Sequence, residues 1–267
     1  LIGKYTEWQG QSYQFYPSHT ESTDVQIYLG SQVIAQEIPA TVLNDNTPGA
    51  RTALSNLWHK SFYKREPIII VAFNAGALAS ITPDSLKKQA QMIRGKINII
   101  SQMQKKPLQI RIVLTHMDRV DGFLEFSKFL ATHDIPLQIS LKEMNLENEL
   151  PACLEAYEKY LPLALTSMPA RDYKALIHFL ATVPELFHSV ALFLQTLSQR
   201  DPLTPALELN ELYLVSNTVK EKGSNPFASV WPPEILKMLA RTGSRHQLSR
   251  IAILLTGATL MSLAFLY

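Results

Sequence analysis

Two uninterrupted apolar runs indicate buried β-strands in the first half of the chain. They cover residues 67–74 and 110–114, and both are rich in β-branched side chains. Runs of this kind are typical of parallel strands that are buried on both faces of a sheet. Between them, residues 85–105 carry apolar side chains at three- and four-residue spacing, with Lys and Gln opposite, which predicts a long amphipathic helix. The pattern therefore predicts a strand–helix–strand unit.

Shorter patterns extend this unit in both directions. The further predicted elements are a hairpin at 25–35 around Gly30-Ser31, helices at 50–63 and 122–132, a third strand at 136–140, helical structure throughout 150–200 and a strand at 212–216. This alternation of strands and helices predicts an α/β fold with a doubly wound sheet. In such sheets, ligands bind at the carboxyl ends of the strands.

A final apolar segment predicts that the chain enters a membrane. Residues 251–267 contain no charged side chain and would form about 25 Å of helix, most of a ~30 Å hydrocarbon core. Basic residues precede this segment at Arg241, Arg245 and Arg250. By the positive-inside rule that flank is cytoplasmic, so we predict a transmembrane helix over residues 247–267 and a cytoplasmic location for residues 1–246. A buried C-terminal core helix is the alternative.

Composition narrows the class of protein and of site. Hydrophobic residues make up 46% of the chain, which allows a sizeable core, and the formal net charge is only +2. Nucleic acid is therefore not an expected partner, because phosphate neutralisation needs a concentrated basic face. The single cysteine, Cys153, cannot form an internal disulfide. Without an H-x-x-x-H pair or a G-x-S-x-G elbow, the sequence predicts neither metal ligands nor catalytic residues.

Candidate ligand chemistry follows the second apolar run directly, at Thr115-His116-Met117-Asp118. In guanine-nucleotide-binding proteins, an N/T-K-x-D tetrapeptide at this place reads the base. Its Asp carboxylate accepts hydrogen bonds from the guanine N1–H and N2–H groups, and its Lys stem packs over the ring. Here Asp118 is present, whereas His116 stands at the lysine position. Asp118 could instead cap the helix that follows.

The wider segment from Ile110 to Phe126 resembles the IcmF/TssM family, whose pattern is an apolar strand, T-K-x-D, a spacer and G-F-x-x-F. Here the last motif begins at Gly122-Phe123. The run at 69–78 is similar to the family's strand that ends in small residues before a long helix, and the order of a Y-x-x-S strand, basic flank and apolar helix fits again at 211–267. The resemblance implies a P-loop GTPase-like, doubly wound sheet, followed by a helical subdomain and a C-terminal transmembrane helix.

These inferences together divide the chain into four parts. We expect a degenerate GTPase-like domain at residues 1–145 and a helical subdomain with a returning strand at residues 146–219. A linker with a short helix at residues 220–246 and a transmembrane helix at residues 247–267 follow. Because the sequence begins without Met and ends inside the apolar run, we also expect a fragment of a longer chain.

The resemblance also assigns nucleotide-binding positions, three of which carry unexpected residues. Gly3-Lys4 resembles the end of a P-loop, but Tyr5 stands where a small hydroxyl binds Mg²⁺. Asn46-Thr47-Pro48-Gly49 resembles D-T-A-G with Asn in place of the metal-organising Asp, although its residue types also suit a simple turn. Ser140-Leu141-Lys142 faintly resembles the S-A-K base-contact loop. The candidate nucleotide-contact residues are Gly3, Lys4, Asn46, Gly49, Thr115 and Asp118.

The altered positions, Tyr5, Asn46 and His116, favour a pseudo-GTPase that binds no cofactor, with GTP and Mg²⁺ as the alternative ligands. The resemblance implies a structural inner-membrane component of a bacterial type IVB (Dot/Icm) or type VI secretion system. Its implied partners are a DotU/TssL-like inner-membrane protein, other secretion-system subunits and the membrane. The alternatives are an active GTPase or ATPase switch that powers assembly of the complex, and a membrane-bound GTPase-like protein outside secretion.

Overall fold

The described residues divide into two compact units, one before residue 43 and the other from residue 43 onwards. A computed structural model describes residues 14–16, 25–29, 34–62, 67–78, 80–104, 106–199, 202 and 204–216. The predicted P-loop residues Gly3 and Lys4, the linker at 220–246 and the transmembrane helix at 247–267 lie outside these described residues.

The described part of the first unit is a small antiparallel sheet. Its strands are β1 (Gln14–Tyr16), β2 (Gln26–Leu29) and β3 (Ile34–Glu37), in the order β1-β2-β3. Leu29 pairs with Ile34 across the predicted turn, which confirms the hairpin predicted at 25–35. The helix α1 (Ala40–Asn44) spans the boundary between the two units.

The second unit is an α/β structure with a mixed sheet, which confirms the predicted α/β class. Its strands are β4 (Ile69–Asn74), β5 (Leu108–Thr115), β6 (Ile139–Ser140) and β7 (Leu207–Leu214). Its helices are α2 (Pro48–Phe62), α3 (Ala75–Leu78), α4 (Pro83–Gln104), α5 (Phe123–Thr132), α6 (Glu149–Ala152), α7 (Leu161–Ser167) and α8 (Ala170–Ser198), with 3₁₀ turns at Met117–Arg119 and Glu155–Tyr160.

The strands of this sheet do not lie side by side in the order in which they occur along the chain. The order is β4-β5-β7-β6, in which β4, β5 and β7 are parallel and β6 is antiparallel to β7. The third strand along the chain, β6, is thus a two-residue edge strand, and β7 occupies the place beside β5. The strand that returns after the long helical segment therefore belongs to the same sheet.

β7 begins five residues before the strand predicted at 212–216. Its buried leucines alternate at Leu207 and Leu209 and again at Leu212 and Leu214, but the two pairs are out of phase. A bulge in the pairing with β5 falls between them, opposite Ile110 and Arg111. Because a bulge adds one residue to one strand, it breaks the two-residue periodicity, and the sequence pattern shows only the second half of the strand.

The prediction that residues 67–74 are buried on both faces is wrong. β4 is an edge strand of the described sheet, in which only Val71 is fully buried, and Ile68 just before it is 43% exposed. The same prediction is confirmed for β5, where Ile112, Val113 and Leu114 are all buried in succession. A run of β-branched residues thus marked both strands, but only the pairing decided which one lies inside the sheet.

Helix α8 forms the core of the second unit. It is the one helix among the described residues that is long and apolar enough to cross a membrane, yet its apolar side chains pack against α4, α5 and α6. Phe193 also contacts Phe73 of β4 edge to face, with ring centroids 4.4 Å apart. Within this unit, α8 therefore serves as a core helix, in agreement with the helical structure predicted for residues 150–200.

A buried arginine closes the C-terminal end of α8. Arg94 of α4 donates one hydrogen bond to the Leu197 carbonyl and one to the Thr204 hydroxyl, each at 3.3 Å. The last carbonyls of a helix have no partner within the helix and carry partial negative charge, so a guanidinium is favourable there. These bonds join α4, the end of α8 and the segment that leads into β7.

The G-F-x-x-F segment packs α5 against α8. Phe123 and Phe126 are buried and contact Phe179 of α8, with ring centroids 5.6 Å and 5.0 Å away. Gly122 has a φ of +80°, and a Cβ built on it would lie 2.0 Å from the Ala175 carbonyl oxygen. The glycine is therefore required both by its backbone conformation and by the close approach of the two helices.

We expect Gly122→Ala to lower the free energy of unfolding by about 2–5 kcal/mol, from backbone strain and from the collision with α8. Thermal unfolding of the full chain in mild detergent should show a Tm lower by about 4–20 °C. Gly49→Ala is the matched control, because a Cβ at this α2 position meets nothing within 4 Å. Its Tm should stay unchanged or rise slightly. Equal Tm values for the two variants would contradict this account of Gly122.

Candidate functional site

The carboxyl ends of the three parallel strands lie at one edge of the sheet. Asn74 ends β4 and pairs with Thr115 at the end of β5, and Leu214 ends β7 beside Leu114. The loops that follow these strands therefore meet where ligands bind in α/β sheets. This edge contains two of the predicted nucleotide-contact residues, Thr115 and Asp118.

Hydrogen bonds tie the loop after β5 to both neighbouring strands. The Met117 N–H donates to the Val215 carbonyl at 3.1 Å, and the Val215 N–H donates to the Leu114 carbonyl at 2.8 Å. On the other side, the Thr115 hydroxyl donates to the Phe73 carbonyl at 2.8 Å. The proton of this hydroxyl is thus used within the protein, and the loop has a fixed position.

His116 occupies the position of the lysine in the N/T-K-x-D pattern. Its backbone is in the left-handed region (φ 58°, ψ 33°), and its Nδ1 lies 3.1 Å from the Thr115 hydroxyl oxygen. Because that hydroxyl donates its only proton to Phe73, Nδ1 must carry the hydrogen and donate to it. His116 therefore takes part in the same network that holds the loop.

Asp118 lies half-buried in the 3₁₀ turn Met117–Arg119. The N-cap of α5 is Gly122, so the alternative in which Asp118 caps that helix is wrong. Beside this turn, the Asn74 side chain accepts the Gly76 N–H at 3.0 Å and turns the chain from β4 into α3. Contact between Asp118 and a nucleotide stays a prediction.

The segment Ser140-Leu141-Lys142 does not reach this edge. Ser140 pairs with Glu211, and the Leu141 N–H donates to the Asn210 carbonyl at 2.9 Å. The segment therefore runs towards the amino end of β7, away from the edge that contains Thr115 and Asp118. The residues that do follow β7 at the carboxyl edge are Val215 and Ser216. The strand predicted at 212–216 includes both residues, but it places them within the strand and not after its end.

Asn46 and Gly49 lie at the start of α2. The Asp45 carboxylate accepts the Thr47 N–H at 2.9 Å, and the Thr47 hydroxyl accepts the Ala50 N–H at 3.3 Å. With Pro48 as the first helical residue, this is a capped helix N-terminus. Asp45, Thr47 and Pro48, whose types also suit a turn, thus form the N-terminal cap of α2, and Gly49 lies inside the helix.

A cleft of ≈460 Å³ separates the start of α2 from α4, and Asn46 and Lys96 line it. Lys96 is buried and its ammonium donates to the Asp45 carbonyl. Burial lowers the pKa of Lys96, and the hydrogen bonds from Thr47, with a smaller contribution from the Lys96 charge, lower the pKa of the Asp45 carboxyl. The structure thus groups Asn46 and Gly49 in one place and Thr115 and Asp118 in another.

Other reactive groups in the described ranges do not form an evident site. No group of three or more His, Cys, Asp or Glu side chains in these ranges could hold a metal ion. Burial raises the pKa of Cys153 to about 12, so its thiol is protonated at neutral pH and is a poor nucleophile.

The hydroxyl of Thr115 gives a direct test of the network. We expect Thr115→Val to lower the free energy of unfolding by about 0.5–1.5 kcal/mol, because the bond to the Phe73 carbonyl is lost while the side-chain shape is kept. Thr115→Ser retains the hydroxyl and is the control. Thermal unfolding of the full chain should place Thr115→Val below the wild-type chain, whereas an unchanged Tm in Thr115→Val would show that the bond does not contribute.

Comparison with known proteins does not assign the chain to a family. It matches no protein-family model, no curated protein and no solved structure. What the site can do must therefore follow from its own groups: a fixed loop at the carboxyl edge of the sheet, and a cleft between two helices that contains a buried lysine.

Proposed function

We propose that the chain is a structural component of a membrane-bound bacterial secretion complex, in which its α/β unit acts as a scaffold. One observation carries the proposal: side chains at the nucleotide-like positions take part in the fold itself. The Thr115 hydroxyl bonds to β4 and His116 bonds to Thr115. The segment of Asn46 and Gly49 forms the capped start of α2.

The chemistry of these positions also favours a scaffold over a hydrolase. Phosphoryl transfer depends on a metal ion held in place and on positive charge near the transferred group. Asn46 offers an uncharged amide where an anionic oxygen would organise Mg²⁺, and its neighbour Asp45 accepts a backbone hydrogen bond and lies next to Lys96. The altered residues at these positions therefore support a scaffold in preference to a hydrolase.

The resemblance to the IcmF/TssM family supplies the cellular setting of the proposal. The second unit would retain a P-loop GTPase-like organisation, in which β4, α4 and β5 form the central strand–helix–strand element. Residues 1–246 would be cytoplasmic and residues 247–267 would enter the inner membrane. A DotU/TssL-like protein and other secretion-system subunits would bind this scaffold.

Calorimetry on the full chain in mild detergent tests the absence of a nucleotide switch. We expect the wild-type chain and Asp118→Ala to give the same result with GTP and Mg²⁺. The reason is that internal hydrogen bonds already hold the loop after β5. Micromolar GTP binding that is lost in Asp118→Ala, together with GTP turnover, would establish the rival function of an active switch.

Co-expression with the DotU/TssL-like protein of the same genome tests the scaffold itself. The partner should purify with the full chain, and Asp118→Ala should leave the complex intact with or without GTP. Gly122→Ala, which disturbs the packing of α5 on α8, should reduce the yield of the complex. A complex that forms only with GTP, or that is lost in Asp118→Ala, would overturn the proposal.

A further inference from the structure

The cleft between α2 and α4 collects positive charge. Its polar and small lining residues are Asn46, Arg51, Lys88, Gln91, Gly95 and Lys96. These residues come from the first turn of α2 and the loop before it, and from successive turns of α4. At ≈460 Å³, the cleft has the size of a site for a small organic molecule.

The cationic groups of this cleft are only partly neutralised. Arg51 and Lys88 make neither an ion pair nor a side-chain hydrogen bond within the part of the chain that the structure describes. Lys96 is 3% exposed and donates to the Asp45 carbonyl, while an ammonium has three protons to donate. With the Asp45 carboxylate as the nearby anion, the local formal charge is +2.

Like charges lie close together in this cleft. Burial has the largest effect on the pKa of Lys96 and lowers it, the Asp45 carboxylate raises it, and the positive charge of Arg51 lowers it by a smaller amount. An anion between the two groups would remove this repulsion. The Asn46 and Gln91 amides add N–H donors at the same surface.

A glycine without a packing role lies in the same cleft. Gly95 is inside α4, where glycine destabilises a helix by roughly 0.5–1 kcal/mol relative to alanine. A Cβ built on it meets nothing within 4 Å, so neighbouring side chains do not require its absence. The missing side chain instead leaves the helix surface open to whatever occupies the cleft.

We propose that the α2–α4 cleft binds the phosphate group of a small phosphate monoester. A phosphate monoester carries about −1.5 to −2 charges at pH 7, which matches the +2 charge of the cleft. The Arg51 guanidinium can donate two parallel hydrogen bonds to phosphate oxygens. Lys88 and Lys96 supply further charge, and Gly95 allows the ligand to approach the α4 backbone. This ligand site is separate from the scaffold function proposed above.

Inorganic pyrophosphate is the probe for a first experiment, by calorimetry on the full chain in uncharged detergent. We expect saturable binding, weakened at least tenfold in Arg51→Gln and in Lys88→Gln. Lys87→Gln is the matched control, since Lys87 is an exposed neighbour on α4 outside the cleft, and it should change affinity less than twofold. No saturable binding, or equal losses in Lys87→Gln and Lys88→Gln, would overturn the proposal.

The variant Gly95→Ala tests whether Gly95 is needed for ligand binding or only for the structure of α4. The added methyl group should raise Tm in the absence of ligand, because alanine favours a helix, and should weaken pyrophosphate binding at least fivefold. Unaltered affinity in Gly95→Ala would contradict the proposed approach to α4. Asp118→Ala should also bind pyrophosphate normally, which distinguishes this site from a nucleotide site at the sheet edge.

The origin of the phosphate is resolved by competition against pyrophosphate. One arm uses glucose 6-phosphate and the other uses short-chain phosphatidic acid, each compared with its uncharged counterpart, glucose or diacylglycerol. Competition by either phosphate supports the site, and the stronger competitor indicates a soluble metabolite or a lipid headgroup. If neither competes, or if the uncharged counterparts compete equally, a phosphate monoester is not the ligand.

Discussion

Burial of α8 is the constraint on which the second unit depends. Its large apolar side chains each contribute about 1.5–3 kcal/mol when they are removed from water, and α4, α5 and α6 cover them. The close approach of α5 requires the missing side chain of Gly122. Arg94 fixes the far end of α8 and the segment after it, so the chain returns through β7 into the middle of the sheet.

The position of β7 also determines how the carboxyl edge of the sheet is built. Because β7 lies beside β5, the backbone of Val215 can bond to both ends of the loop that contains His116. The Thr115 hydroxyl bonds to β4 on the opposite side. Hydrogen bonds on both sides therefore hold this loop in a fixed position. A rigid loop whose hydrogen bonds are formed within the chain agrees with the proposed scaffold.

The cationic side chains that are only partly neutralised lie elsewhere, in the cleft between α2 and α4. Lys96 is buried next to Arg51, and Gly95 leaves the surface of α4 open at the same place. A glycine inside a helix reduces stability, and its position in one cleft with these cations is the basis of the proposed anion site. The two places thus differ physically: hydrogen bonds within the chain hold the loop at the sheet edge, whereas the cleft between α2 and α4 is the site of the proposed phosphate binding.

The sequence by itself determined the α/β class, the first hairpin and most of the helices, because these depend on local periodicity. It also located Thr115 and Asp118 at the end of a strand. Tertiary structure alone decided that β4 is an edge strand of the described sheet and that β7 lies beside β5, because local periodicity does not specify which strands pair. The bulge in β7 also hid the first part of that strand from the sequence pattern. Tertiary structure likewise decided that Arg51, Gly95 and Lys96 share a cleft, since residues far apart in sequence become neighbours only when helices pack.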